Sequence, residues 1–471
     1  MHLTFETASA RGYNGGMNAD EGESGMNREE SFFKTVCAIA IPVTLQTMLQ
    51  SSFSIVDQIM IGQLGSVSVA GVGMAGKFAS IYSVVISAIG AVAGIMISQY
   101  LGKHDHEEVR RSFLINLFFG FGIAGLFTVL CFMFARPIMA FYTADPQTHQ
   151  AAENYLRISS ATFLPLAGST LLATLYRCSD QPKLPLYAST AAALLNTGLN
   201  YVLIFGKLGF LPMGITGAAM ATVISQFFNF GLMILMLRTQ KSMLSNEHRH
   251  VTTGKGRFGW KQYLSMLMPV LVCEVVWSLG ENGYAAIYGR MGTAASAAMT
   301  LTNPIQGLMT GALVGLSQAA SVMIGKKLGN AEYDEAYSSA CKLLRYGVVG
   351  ATILALLVVA TRSLYVEIYQ VDAHVKMLTR QILLAYALVA PFKVLNMILG
   401  GGIIRSGGKT QYVMIIDMIG TWGFGIPLGL FSAFVLKLSI APVYFMLSLE
   451  ECVRFGISVF VLRRKNWMKQ L

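Results

Sequence analysis

The sequence predicts an all-α polytopic membrane protein of twelve transmembrane helices in two parallel six-helix repeats. Three observations carry that prediction. Of 471 residues, 54% are hydrophobic and only 13% charged, against the quarter or so of charged residues that a soluble protein uses to cover its surface. Twelve apolar runs reach the roughly 20 residues that a helix needs to cross a bilayer. The first half of the chain also returns in the second. Residues 42–65, PVTLQTMLQSSFSIVDQIMIGQLG, and residues 269–292, PVLVCEVVWSLGENGYAAIYGRMG, both open on Pro-Val, run apolar and close on Gly-x-x-Gly. Gly102 of SQYLGK and Gly329 of IGKKLGN follow at equal distances, so one constant offset relates all the landmarks and marks an internal repeat. The match fails at one telling position, where Asp57 of the first copy faces Tyr284 of the second.

In chain order the runs are 33–57, 68–99, 112–136, 156–176, 184–206, 215–237, 263–288, 295–325, 341–362, 378–401, 411–434 and 440–462. None alternates with period two, as barrel strands do. The second and eighth are long enough to tilt or bend. Pro42, Pro165, Pro269, Pro304 and Pro391 lie inside runs, where each removes a backbone hydrogen bond and favours a bend. Residues 1–31 lack an apolar core and read as a disordered cytoplasmic tail, within which Met26 is a second candidate start. Residues 32–237 form a first lobe, 238–262 a polar, basic linker, 263–463 a second lobe and 464–471 a cytoplasmic tail.

Charge sets the orientation. With the N-terminus inside, the inner segments and their flanks collect 24 Lys and Arg against seven in the opposite loops, the positive-inside pattern, so both termini are expected in the cytoplasm. The net charge of +11 then answers anionic headgroups. No basic patch interleaved with aromatics sits on a soluble domain, which argues against a nucleic-acid partner. The six cysteines stand singly, without metal-ligand spacing, and read as small hydrophobes. An even number of helices per repeat gives two like-oriented bundles facing each other across a cleft. No GxxxxGK[ST] run is present, so transport would draw on an ion gradient or the substrate's own. No enzyme chemistry and no cofactor are expected.

Ionisable and amide residues inside spans are the candidate sites, because a charge in hydrocarbon is costly unless it is paired or functional. Asp57 is either a proton or cation site, with sodium as its only candidate metal, or a carboxylate near the helix mouth that solvates a loop. Asn196, Thr197 and Asn200 share a face of the fifth run; they either glue helices together or hold the cation beside Asp57. Glu274 and Glu281 lie seven apart on one face of the seventh run, with Asn282 beside the latter, and at least one is expected to face a cavity. Asp417 is a similar case. Glu450 and Glu451 point about 100° apart on a helix, so the spacing predicts that they do not share a cleft. Arg454 is expected to pair with Glu450 at i,i+4, a structural trio. Lys393 sits mid-run, where it would neutralise a seventh-run glutamate and compete with cation binding. Lys77 reads as a snorkelling lysine. Arg177 and Arg405, which open equivalent turns of the two repeats, are expected at headgroups.

Together these stretches resemble the multidrug and toxic compound extrusion transporters, from about residue 32 to 463. The resemblance is carried by FSIVDQIMIGQLG (53–65), SQYLGK (98–103), TLYRCSDQPKLP (174–185), LNTGLNYVLIFG (195–206), LPMGITGAAMATVIS (211–225), GGIIRSGGKT (401–410) and GIPLGL (425–430), in that order and spacing. It implies a V-shaped pair of lobes, efflux of cationic, amphipathic or other drug-like compounds by a monomer, and coupling to inward sodium or proton flow. Asp57 matches the family's first-helix acid and Asn196 a polar residue near it. Where a subgroup carries a further carboxylate, this chain has Asn200. Glu274 is out of register with the seventh-helix glutamate of sodium-coupled members, whose place Trp277 takes. The compact loops fit a prokaryotic inner membrane. The alternatives are export or flipping of a lipid-linked or peptidic molecule, and a non-transporting membrane partner.

Overall fold

The computed structural model describes residues 21–239 and 260–471, apart from 144 and 370. Twelve spans follow one another: α1 (Glu21–Gly62), α2 (Ser66–Gly102), α3 (His106–Tyr142), α4 (Pro146–Cys178), α5 (Lys183–Phe205), α6 (Gly214–Thr239), α7 (Trp260–Arg290), α8 (Thr293–Gly329), α9 (Tyr333–Glu367), α10 (Ala373–Ile404), α11 (Thr410–Val435) and α12, itself two pieces, Ile440–Ser448 and Glu450–Arg463. Each coincides with one predicted apolar run. The boundaries have local causes. Gly65 (φ 94°) and Gly292 (φ 118°), equivalent in the repeat, start α2 and α8 with backbone angles that a side chain disfavours. Asp105 and Asp145 cap α3 and α4 by accepting from the backbone N–H groups of Glu108 and Thr148.

The expected tail at 1–31 is revised for its second part. Residues 21–31 already belong to α1, because the polar start continues the helical register of the apolar run behind it; residues 1–20 lie outside the described residues. Of the expected linker, residues 240–259 also lie outside them.

Bends fall where the chain invites them. α3 leaves helical geometry at Phe134 (φ −112°, ψ 21°), three residues before Pro137, and α4 contains a 3-10 turn at Ser160–Thr162. The second lobe adds a feature absent from the sequence reading. Residues 397–404 of α10 and 419–425 and 431–435 of α11 are π-helical, with turns wider than those of an α-helix.

Helices α1–α6 and α7–α12 form the two lobes of a V. They meet on the side that carries the start of α1 and residue 471, called the terminal side below. There α1 packs on α8: Gly315 approaches the Ala40 carbonyl too closely to admit a Cβ. Gly102 lies against the Lys326 backbone, and Gly329 against that of Gln99. Gln99 corresponds to Lys326 in the repeat, as Gly102 does to Gly329, so these two contacts are one contact repeated by the pseudo-twofold axis. Asp180 to Lys326 (2.6 Å) and Tyr263 to Asn116 (3.1 Å) add polar ties between lobes.

The expected cytoplasmic tail at 464–471 folds under this junction. Trp467 is fully buried. Gln99 donates to the carbonyls of Ser406 (2.7 Å) and Lys469 (3.1 Å) and accepts from the Leu471 amide (2.8 Å), while Gln470 donates to the Gly329 carbonyl (2.6 Å). Away from the terminal side the V opens. Five of the six residues from Ser51 to Val56 of α1 are exposed and Phe53 is half-buried. Six successive residues pass right round a helix, so α1 is bare there on its cleft face as well as outside.

Candidate functional site

In the first lobe, Asp57 of α1 faces α5. Asn200, fully buried, donates through Nδ2 to Asp57 Oδ1 (2.5 Å) and to Asn196 Oδ1 (3.1 Å). Asn196 in turn donates to Ser225 Oγ of α6 (3.2 Å). The close α5–α6 hairpin makes this possible, since Gly217 meets the Leu203 backbone where a side chain would clash. Tyr155 of α4 packs against the cluster of Ile61, Ile204 and Ala218, near Asp57. Asn200 Oδ1 is buried with no hydrogen-bond donor. Thr197 stays out of the cluster; its hydroxyl donates to the Ala193 carbonyl (3.0 Å) of its own helix, the cheapest partner for a threonine on a span. Ser225 and Tyr155 escaped the sequence reading because serine and tyrosine are unremarkable in membrane helices, although Ser225 closes the LPMGITGAAMATVIS stretch.

In the second lobe a cavity of about 310 Å³ opens between α7, α8, α10 and α12. Its wall carries the carboxylates of Glu281, Glu450 and Glu451, the ammonium of Lys393 and the rings of Tyr284, Tyr288, Tyr386 and Tyr444. The expectation that Glu450 and Glu451 cannot share a cleft is wrong: α12 is interrupted at Leu449, and the cavity wraps around the start of its second piece. Tyr284, which replaces Asp57 in the repeat, donates to Glu450 Oε2 (2.6 Å). A methyl group on Gly425 would overlap both Tyr284 and Glu450, so the glycine makes room for that bond.

Behind the cavity wall runs a chain of charges. Arg454 pairs with Asp417 of α11 and Glu451 (3.6 Å) rather than with Glu450. It reaches α11 by crossing Gly420, where any side chain would collide with its stem. Asn396 donates to Glu451 Oε2 (2.7 Å). Cys273, expected to be a small hydrophobe, donates to Asp417 Oδ2 (2.8 Å). Asp417 therefore sits in this network and not on the cavity wall. Glu274 is likewise off the cavity, paired with Arg405 (3.4 Å). Arg405 is thus half-buried against a carboxylate instead of reaching headgroups, because its turn packs inward under the lobe. Asn282 turns outward and donates to the Ser278 carbonyl (2.7 Å). Lys393 lies among Glu451 and Glu281 as counter-charges, yet among the described residues no carboxylate is within 4.0 Å of it. The expected direct neutralisation is therefore not made. Lys77 is exposed.

A family model described as MatE matches residues 42–202 and again 269–431, well over half of the chain. The chain belongs to the MatE family. The two matches begin at Pro42 and Pro269, the equivalent prolines of the repeat. The chain is 26% identical over 448 residues to multidrug and toxin extrusion protein 2 of Mus musculus, covering 92% of this chain and 74% of that protein. It is also 26% identical over 417 residues to the probable multidrug resistance protein NorM of Rhizobium meliloti, covering 86% and 87%. Among solved structures, the Vibrio cholerae MATE transporter VcmN in the bent form superposes with a TM-score of 0.83 at 17% identity, over 94% of this chain and 99% of that one. A MOP superfamily transporter from Pyrococcus furiosus does so at 0.81 and 16%, over 92% and 95%. These two likenesses speak to the fold. As a MatE protein the chain is a secondary transporter of small organic, drug-like compounds and not an enzyme.

Proposed function

We infer that this MatE protein extrudes amphipathic organic cations in exchange for a monovalent cation, sodium or proton, taken up at Asp57. The observation that carries the reading is the first-lobe cluster, in which a carboxylate inside a span is held by the buried amide of Asn200, itself bonded to the half-buried Asn196. An ionised group in such a place is expensive unless something neutralises it. The orphan Oδ1 of Asn200 is an acceptor that the coupling ion would complete: sodium would coordinate it directly, and a proton carried on the second carboxyl oxygen of Asp57 would be donated to it, closing an acid–amide pair with the Nδ2 bond already in place. The second-lobe cavity supplies acidic groups and four tyrosine faces, the chemistry that receives a flat organic cation, at a volume suited to a drug-sized molecule.

The positive-inside count assigns the terminal side to the cytoplasm, which makes the conformation seen here outward-open. In the cycle, the cation binds at Asp57 from outside, the first lobe repacks around α1 and α5, the substrate is released outward, and the lobes tilt to present both sites inside. Exchange requires that ion and substrate oppose each other by about 1–3 kcal/mol. The short loops fit a prokaryotic cell membrane, in which the protein is read as a monomer. The test is efflux of a cationic dye from proteoliposomes with sodium and proton gradients imposed separately. Wild type should respond to one of them, and Asp57→Asn (D57N) to neither. Undiminished gradient-driven efflux by D57N would remove Asp57 from the mechanism.

A further inference from the structure

The second-lobe cavity holds a cation of its own. Of its three carboxylates, Glu450 is answered by the Tyr284 hydroxyl (2.6 Å) and Glu451 by Asn396 (2.7 Å) and Arg454 (3.6 Å). Glu281 is exposed, and among the described residues it takes no hydrogen bond or ion pair. Lys393 enters the same space from α10, two residues after Pro391 and three before Asn396. Because Asn396 also donates to the Glu451 carbonyl (2.8 Å), α10 is fixed against α12 and the lysine stem starts from a fixed point. Its ammonium touches no carboxylate within 4.0 Å among the described residues, although Glu451 and Glu281 are its counter-charges. A compact ammonium on a flexible four-carbon stem, held near unpaired acid without being locked to it, is in effect a small amine on a leash.

We propose that Lys393 is a tethered competitor: it occupies the acidic cavity while the cavity is empty, and the incoming organic cation must displace it from its place near Glu451 and Glu281 to reach the unpaired Glu281. The proposal deepens the reading of this cavity as the organic-cation site and rests on it. A short tether holds its group at an effective concentration in the millimolar range. Lys393 therefore sets a threshold. A small primary amine has nothing to offer that the lysine does not already supply. A bulky aromatic cation gains contact with Tyr284, Tyr288, Tyr386 and Tyr444 as well and outcompetes it. The residue determines specificity by excluding small amines, and it relieves the charge of an unoccupied cavity that would otherwise present carboxylates without a counter-ion.

The test is equilibrium binding of tetraphenylphosphonium to the purified full chain, using variants shown to be monodisperse by gel filtration. Lys393→Ala and Lys393→Gln should each tighten binding by about three- to tenfold. Lys393→Arg, which keeps a tethered cation, should bind as wild type does. Methylammonium should compete with the probe in Lys393→Ala at concentrations that leave wild type unaffected. Adding Glu281→Gln to Lys393→Ala should cancel the gain. Wild-type or weaker binding by both Lys393→Ala and Lys393→Gln, in protein whose wild type does bind the probe, would overturn the role of Lys393 alone. Failure of wild type and every variant to bind would overturn the organic-cation reading of the cavity, and this proposal with it.

Discussion

Arg454 serves two carboxylates on two helices, and its loss should be felt as stability before it is felt as transport. Arg454→Leu would strand Asp417 and Glu451, and breaking a buried pair by removing one partner costs roughly 3–5 kcal/mol. The expected outcome is a clearly lower melting temperature in detergent for R454L, partly recovered when Asp417→Asn is added. An unchanged melting temperature would mean that the network is not structural. The same residue shows how far single side chains are legible in a sequence. Asp57, Asn196, Asn200, Glu281 and Lys393 were readable as candidates, because polar groups inside apolar runs stand out. Their partners were not. Spacing along one helix pairs Arg454 with Glu450, but the real neighbour is set by which helix packs across, and a glycine at 420 opens the way to Asp417. Ser225, Tyr155 and the tyrosines of the cavity carry no signal of their own, since only tertiary packing turns them toward a site.

At the level of elements, the twelve spans were legible because length and hydropathy are imposed by the bilayer and not by neighbouring helices. The π-helical segments of α10 and α11 were not, because a widened turn is a response to what packs beside it. Those segments bring Gly425 against the Tyr284–Glu450 bond and Gly420 against the Arg454 stem. Gly425→Ala should push Tyr284 off Glu450, since the added methyl would overlap the bonded ends of both side chains. We expect G425A to lose most tetraphenylphosphonium binding while the first-lobe cluster is left intact. The check is to measure probe binding together with sodium-induced changes in hydrogen exchange on α1 and α5: loss of the first and survival of the second. Equal loss of both would show that α11 supports the whole fold and not the cavity in particular.

For the whole molecule, the closed terminal side depends on backbones that meet without side chains between them. Gly325 lies against Ser98 of the other lobe, and the Gly102 and Gly329 contacts repeat each other about the pseudo-twofold axis. A side chain at any of these points is a wedge between lobes and lies far from both candidate sites. Gly325→Val is therefore expected to raise the population with the terminal side open, measured as faster alkylation of a cysteine introduced at buried Ala319, one turn from Gly315 on the face of α8 toward the first lobe, in a background without the native cysteines. Alkylation no faster than in the parent would mean that the seal tolerates bulk. The folded segment 464–471 adds a tie of its own between the lobes. Its Leu471 amide is tied to Gln99 of the opposite lobe, and that tie has to break whenever the lobes part on this side. An amide exchanges its hydrogen with solvent only while its bond is open. The deuterium uptake of Leu471 is thus a gauge built into the chain: followed with and without sodium, it tracks the population in which this tie is open, with no attached probe and no substrate required.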